Sequence, residues 1–312
     1  MRSVDLHADI ICKMLEFPGS SWESSSPEGR FDATPERLRQ SGAVLQVFPI
    51  YLPDNVSSNP ESLLRAAELF WSEVLTTSGM KLIRRSGDIA IALEQGMLGA
   101  ILSLEGADGL QGQMWALHLL YRLGLRLLGP TWNHANWACD GAMEPRGGGF
   151  TKAGKQLVTE CESLGILVDV SHLSDRGFWE LADCAERPFF ASHSNCRSVL
   201  DHPRNLTDKQ IETIIAVDGI IGMTFVPWFV RVPEATIEDV LRHVEHVCSL
   251  GGANHLAFGS DFDGITKHVQ GLEHPGKLPD LINALLQRYP ETLVRGFMGE
   301  TALRFFTKNL SK

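Results

Sequence analysis

The sequence is short of most features that would place it in a common class. No apolar run approaches the ~20 residues of a membrane-spanning helix, and the opening M-R-S-V-D-L-H-A-D-I enters a strand-like run at once. A soluble, unprocessed, cytoplasmic chain with no membrane partner is therefore expected. The six cysteines (Cys12, Cys139, Cys161, Cys184, Cys196, Cys248) contain no C-x-x-C, which points to reduced thiols rather than a disulfide framework or a structural zinc site. There is no basic surplus: 28 Lys and Arg stand against 38 Asp and Glu, a formal charge of −10, and no basic stripe offers itself to a nucleic acid. The run Gly147 to Gly149 lacks a following G-K-[ST] and is not a phosphate loop. No G-x-G-x-x-G follows the first strand candidate, which argues against a doubly wound open sheet. Neither a repeat nor a linker interrupts the 312 residues, so one domain over 1–312 is expected.

What is present centres on residues 164–195. Two short apolar runs, 166–170 and 188–191, each end on a small polar residue followed by histidine, His172 and His193. Between them Ser174 or Asp175 caps a helix in which Phe178, Trp179, Leu181 and Ala182 fall near a 3.6 period. Strand, helix and strand in that order make a right-handed βαβ unit, with both strand ends on one face of a parallel sheet. Imidazole is the commonest nitrogen ligand for zinc-like ions, so the converging pair is a candidate metal site.

Six further segments read as strands: 4–6, 42–50, 99–104, 124–128, 219–226 and 255–259. Helices are predicted over 60–75, 114–123, 151–164, from Thr207 or Asp208 to 217, and over 237–250, 280–288 and 291–308. Residues 17–30, rich in Ser, Pro and Gly, read as a long loop able to cover a site. Eight strands separated mostly by helices, with polar residues at their C-terminal ends, predict an α/β (β/α)8 TIM barrel whose site lies in the βα loops. His243 and His246 share a face of the 237–250 helix but follow no strand end, and are read as solvated surface.

Gathered on the active face are His7 and Asp9, two apart on an extended chain and so pointing the same way, with Glu105, His172, His193 and Asp261. Carboxylates at strand ends need a counter-charge if buried, and a metal supplies one. Three histidines and three carboxylates suffice for two divalent metal ions, one carboxylate between them and one left for proton transfer.

These residues lie in segments that resemble the membrane (renal) dipeptidases, a branch of the metal-dependent amidohydrolase superfamily. The segments are D-L-H-A-D (5–9), S-L-E-G (103–106), L-V-D-V-S-H-L-S-D (167–175), A-S-H-S-N (191–195), H-P-R-N-L (202–206) and G-S-D-F-D-G (259–264). The H-x-D opening is specific, because most amidohydrolase relatives open with H-x-H. The resemblance implies a zinc-dependent dipeptidase in which His7, Asp9 and Glu105 hold one zinc and Glu105 bridges to a second held by His172 and His193. It implies that a hydroxide between the ions attacks the peptide carbonyl and that Asp261, as acid/base, passes a proton to the departing amine. Arg204, in the R-N-L segment, is implied as the clamp on the free carboxylate of a small dipeptide, L-L or L-D, and a homodimer is the family expectation.

The chain also departs from the family. Animal members read T-H-N on the fourth strand, where the histidine helps bind substrate; here the segment is Thr131-Trp132-Asn133, with His134 two places beyond Trp132. Either His134 takes over substrate binding or the zinc ions act without it. Strand seven reads T-F-V where relatives often carry tyrosine, so Phe225 or Trp228 is expected in the wall. The secretory and lipid-anchor signals of animal members are absent, as in a soluble bacterial-type member. Two other readings stay open: an N-acyl amino acid hydrolase that keeps the metals and Arg204, and a catalytically inactive metal-binding protein, which would have no need of Asp261.

Overall fold

A computed structural model describes residues 1–23 and 29–312. Strands β1 (Ser3–Asp5), β2 (Ala43–Ile50), β3 (Met80–Leu82), β4 (Leu98–Glu105), β5 (Leu125–Gly129), β6 (Leu167–Val168), β7 (Ile221–Met223) and β8 (Leu256–Phe258) form one parallel sheet, with the path β6-β5-β4-β2-β1-β8-β7. β3 lies off this path and pairs with the first residues of β4, Met80 opposite Leu98. The ring is completed by the segment expected as a strand at 188–191: Phe190 bridges Asp169 just past β6, and Ala191 bridges Ile221 of β7, both parallel. With that segment the fold is a (β/α)8 barrel, and each expected strand holds a place in it. β3 is additional; three residues carry too little pattern to be read. Past β6 the ladder continues from Asp169 N–H to Leu128 O (2.8 Å) and from Val170 N–H to Phe190 O (2.8 Å), and Asp169 Oδ1 then accepts from the N–H groups of Ser171 (3.0 Å) and Ser192 (2.9 Å).

The alternation of two along each strand sorts the core. Leu45, Val47, Ile101, Leu127, Leu167 and Phe190 fill the barrel interior, which Phe305 and Phe306 of the C-terminal helix close from below. Phe48, Leu102, Leu128, Val168 and Phe258 belong to the larger cluster that the surrounding helices cover. With both faces covered, β4 is buried at every residue. Glu105 is in phase with Ile101 and so turns into the barrel, where the apolar layer ends and the polar one begins.

The predicted helices are present with two refinements. Pro60–Leu69 and Glu291–Arg295 each run into a wider π turn, Phe70–Val74 and Gly296–Glu300, before the chain continues. Ile10–Glu16, Pro35–Gln40 and Ser86–Glu94 are helices that the sequence pattern did not reveal. The stretch 17–30 falls partly on 24–28, outside the described residues; 17–23 carries no helix or strand. Among the described residues no helix is long and apolar enough to cross a membrane, and all six cysteines are free thiols.

His243 corrects the surface reading. It is 0% exposed, because the loops beyond His193 and β7 fold back over the helix Ile237–Ser249. Its Nδ1 accepts from the Cys196 N–H (3.1 Å) and its Nε2 faces Val230 O (3.1 Å), so the ring is neutral with Nε2 protonated. Burial lowers its pKa to about 4. Between pH 6.5 and 4 the unfolded chain binds the proton that the folded ring refuses, so this contribution is present above pH 6.5 and lost as pH falls. Urea titrations at pH 7 and 5 are expected to show wild type losing more stability on acidification than His243→Gln, by on the order of 2 kcal/mol. His246, half-buried, pairs with Asp208 at 2.7 Å.

Candidate active site

Strand ends deliver the cluster: His7 and Asp9 follow β1, Glu105 ends β4, His172 lies past β6, His193 past the bridging segment, and Asp261 past β8. The turn after β8 is built tightly against β1. Asp261 N–H donates to His7 O (3.0 Å), and Ser260 Oγ donates to Asp5 Oδ2 (2.6 Å). Asp261 and Asp263 take left-handed φ values of 64° and 70°, a region that aspartate tolerates better than most side chains. A Cβ on Gly264 would stand 2.1 Å from Asp9 Oδ2 and 2.8 Å from Asp261 Oδ1, so any larger residue there must displace these carboxylates. Asp263 accepts from Lys13 Nζ (3.1 Å) and from the N–H groups of Asp32 (2.7 Å) and Ala33 (3.1 Å), which ties the chain before the helix Pro35–Gln40 to this rim.

Glu105 stands at the centre. Its Oε2 is 3.4 Å from His7 Nε2; its Oε1 is 2.7 Å from His172 Nε2 and 3.6 Å from His193 Nε2. His7 Nε2 also lies 3.6 Å from Asp9 Oδ2 and 3.9 Å from Asp261 Oδ1. The Nε2 atoms of His172 and His193 are 2.9 Å apart. One carboxylate thus faces His7 with one oxygen and the other two imidazoles with the second.

The hydrogen bonds behind the rings assign their tautomers. His172 Nδ1–H donates to Asn133 Oδ1 (3.0 Å). Ser192 Oγ donates to Asp169 Oδ2 (2.5 Å), which leaves its lone pairs for His193 Nδ1–H (2.6 Å) and, more loosely, for His7 Nδ1 (3.5 Å). With Nδ1 engaged as donor, the Nε2 atoms of His172 and His193 each turn a lone pair into the site. Burial, helped by Arg204, lowers His172 to about 4; burial, with His7 nearby, holds His193 well below the imidazole range.

The carboxylates crowd one another. Burial and the Asp9 carboxylate raise Asp261 well above the usual range, and burial with Glu105 raises Asp9. Burial alone would raise Glu105 and lower His7, but their attraction prevails: Glu105 is held well below its ordinary value and His7 well above. Such shifts mark buried negative charge in want of a cation. Two buried atoms, His7 Nε2 and Asp9 Oδ1, have no hydrogen-bond partner. Two sets, His7-Glu105-His193 and His7-Asp9-Asp261, bring one donor atom from each residue within 4.8 Å of the others. Imidazole nitrogens with carboxylate oxygens suit divalent ions such as zinc, so the residues fit the expected metal.

A cavity of about 400 Å³ opens over the cluster and is lined by Glu105, His172, His193, Arg204 and Asp261. Arg204 is buried, with Nη2 3.1 Å from His172 Nε2 and 3.5 Å from His193 O, while Nε and Nη1 are without partners. Burial lowers its pKa to about 10, which leaves it charged at neutral pH. A buried guanidinium with free donors calls for an anion. His134 is not brought to this cavity: it is exposed, with its carbonyl accepting from Thr131 Oγ1 (2.7 Å), and it lines a neighbouring cavity. Phe225 is buried against Phe258 and Phe262, whereas Trp228 and Val226 form the wall. The sequence reading did not find Asn133, Asp169 or Ser192 as supports; the serines before His172 and His193 were the available signal.

A family model described as membrane dipeptidase (peptidase family M19) matches residues 1–311. The chain is 34% identical over 237 residues to a dipeptidase, tcpJ, of Claviceps purpurea; the match covers 74% of this chain and 55% of that protein, about half its length. Two crystal structures superpose closely. One, of a metallopeptidase called dipeptidase AC, gives a TM-score of 0.92 at 29% identity and covers 100% of this chain and 99% of that one. The other, a Rhodobacter sphaeroides metallopeptidase bound to a phosphinate mimic of L-Ala-D-Ala, gives 0.90 at 28% identity over 99% of each chain. With its histidines and carboxylates gathered at the strand ends of a (β/α)8 barrel and the family model matching nearly the whole sequence, the chain belongs to the membrane dipeptidase family, peptidase family M19, as a hydrolase of peptide bonds.

Proposed function

We propose that the chain is a two-zinc dipeptidase that cleaves small dipeptides, L-D as well as L-L. The observation that carries this is Glu105, whose two oxygens divide between His7 on one side and His172 with His193 on the other. His7, Asp9 and Glu105 would hold one ion, and Glu105, His172 and His193 the second. When bound, the ions supply Lewis acidity to the scissile carbonyl and to a water at neutral pH. The remaining work falls to side chains. Arg204 binds the substrate carboxylate through its free Nε and Nη1, a charge-assisted pair that fixes the scissile bond over Glu105. Asp261 takes a proton from the attacking water on a carboxylate oxygen and returns it to the departing amine. Trp228 and Phe229 shield the site from solvent. The phosphinate mimic of L-Ala-D-Ala bound by the Rhodobacter enzyme supports a C-terminal D residue.

The test is a panel of L-L dipeptides, L-D dipeptides and N-acetyl amino acids offered to zinc-loaded protein. Cleavage of the free dipeptides is expected. Turnover of acetylated compounds alone would replace this reading with an N-acyl amino acid hydrolase; no turnover with two ions bound would make it a metal-binding protein. Arg204→Met is expected to lower kcat/KM for dipeptides by roughly 100- to 1,000-fold, since it removes the partner of a buried charge. C-terminally amidated dipeptides, already poor, should respond far less, and an equal loss on both would speak against the clamp.

A further inference from the structure

The cavity over the imidazoles has a neighbour. A second cavity, of about 430 Å³, is bounded by the chain beyond β2 (Leu52, Asp54, Val56) and by Asp108 and His134. Tyr51, Glu105 and Trp132 line both. The divider is an aromatic pair: the rings of Tyr51 and Trp132 are 5.0 Å apart between centroids and tilted by 44°. We propose that this pair is a partition that keeps the substrate's amino-terminal side chain out of the second cavity, so that Trp132 sets a preference for small amino-terminal residues such as Gly and Ala.

The inference rests on the reading of Arg204 as the carboxylate anchor. Arg204 lines the first cavity and not the second. A substrate anchored there has its C-terminal half beside His172 and His193, and its amino-terminal half extends across Glu105 toward the residues that both cavities share. The partition is stiff where it is rooted. A Cβ on Gly141 would stand 2.0 Å from Trp132 O, so the Trp132 backbone packs directly on that glycine. Met143 N–H donates to Asn133 O (2.8 Å), and the Asn133 side chain is engaged by His172. A wall so fixed discriminates by size. Trp132 is 36% exposed and stands outside the main core cluster, so shortening it opens the wall without emptying the core. Beyond it, Leu52 and Val56 beside Asp54 and Asp108 offer room for large apolar or cationic side chains.

The experiment measures kcat/KM for Ala-Ala, Leu-Ala, Phe-Ala, Lys-Ala and Ala-Phe with wild type, Trp132→Ala and Trp132→Phe, alongside zinc content. Trp132→Ala is expected to raise the ratios of Leu-Ala, Phe-Ala and Lys-Ala to Ala-Ala by roughly tenfold or more, as a pocket that gains several methylenes of space does. Trp132→Phe should fall between, with the Ala-Phe to Ala-Ala ratio and the zinc content unchanged. Equal changes on all substrates, or a shift confined to the carboxyl-terminal residue, would overturn the partition while leaving the dipeptidase reading intact. A wild type that cleaves none of the five would sink both.

Discussion

Asp261→Asn is expected to lower kcat by roughly 100- to 10,000-fold while KM stays within a few-fold and both metal ions remain bound. The substitution is close to isosteric, and the main chain is fixed independently of the side chain's charge, by the Asp261 N–H to His7 O bond of 3.0 Å. Asparagine also tolerates the left-handed φ of 64° that the turn imposes. What disappears is the one thing an amide cannot do, which is to take a proton and give it back. Steady-state kinetics on an L-L dipeptide, paired with metal analysis, separate the outcomes. A variant within tenfold of wild type would remove Asp261 from proton transfer; a variant that loses its metal would make Asp261 a ligand.

Gly264→Ala is expected to remove most of the bound metal and, with it, at least about 100-fold of activity, although it adds a single methyl group. The effect is steric and local: the new Cβ would stand 2.1 Å from Asp9 Oδ2, so Asp9 or the turn carrying Asp261 must move. A displacement of that size at a ligand or a proton carrier is costly, because catalytic geometry tolerates about 0.5 Å. Gly87→Ala is the matched control, since a Cβ there meets nothing within 4 Å and the residue lies in the helix Ser86–Glu94. That variant should be neutral or slightly stabilising. Metal content and kcat of the two proteins, measured side by side, decide whether the contact matters; full metal occupancy in Gly264→Ala would show that the turn yields.

The barrel was legible because its strands are rich in apolar residues and several of them end on ionisable ones, so apolar runs followed by His, Asp or Glu recur along the chain. His7, Asp9, Glu105, His172, His193 and Asp261 meet as expected for that reason. Other features depend on how loops fold back and leave no local trace. His243 sits in a helix with no strand before it, and only the return of the Cys196 and Val230 segments buries it. Asn133 reaches His172 through a turn whose course the pattern T-W-N-H does not fix, while the same turn carries His134 outward. Tyr51 follows a strand that ends without an ionisable residue, so nothing marked it as part of the site. Asp169 and Ser192 were inside the recognisable segments, but their work is to hold other side chains, which becomes visible only as hydrogen bonds.

The Ser192 hydroxyl, shared by His193 and His7 and anchored on Asp169, has a consequence for how metal enters. These hydrogen bonds orient the imidazoles without help from an ion, so metal capture at this cluster would need little rearrangement of the rings. The same rigidity makes the cluster a socket of one size. An ion that demands longer bonds or more oxygen neighbours would fit such a socket less well, so residues that no ion touches would share in the choice of metal.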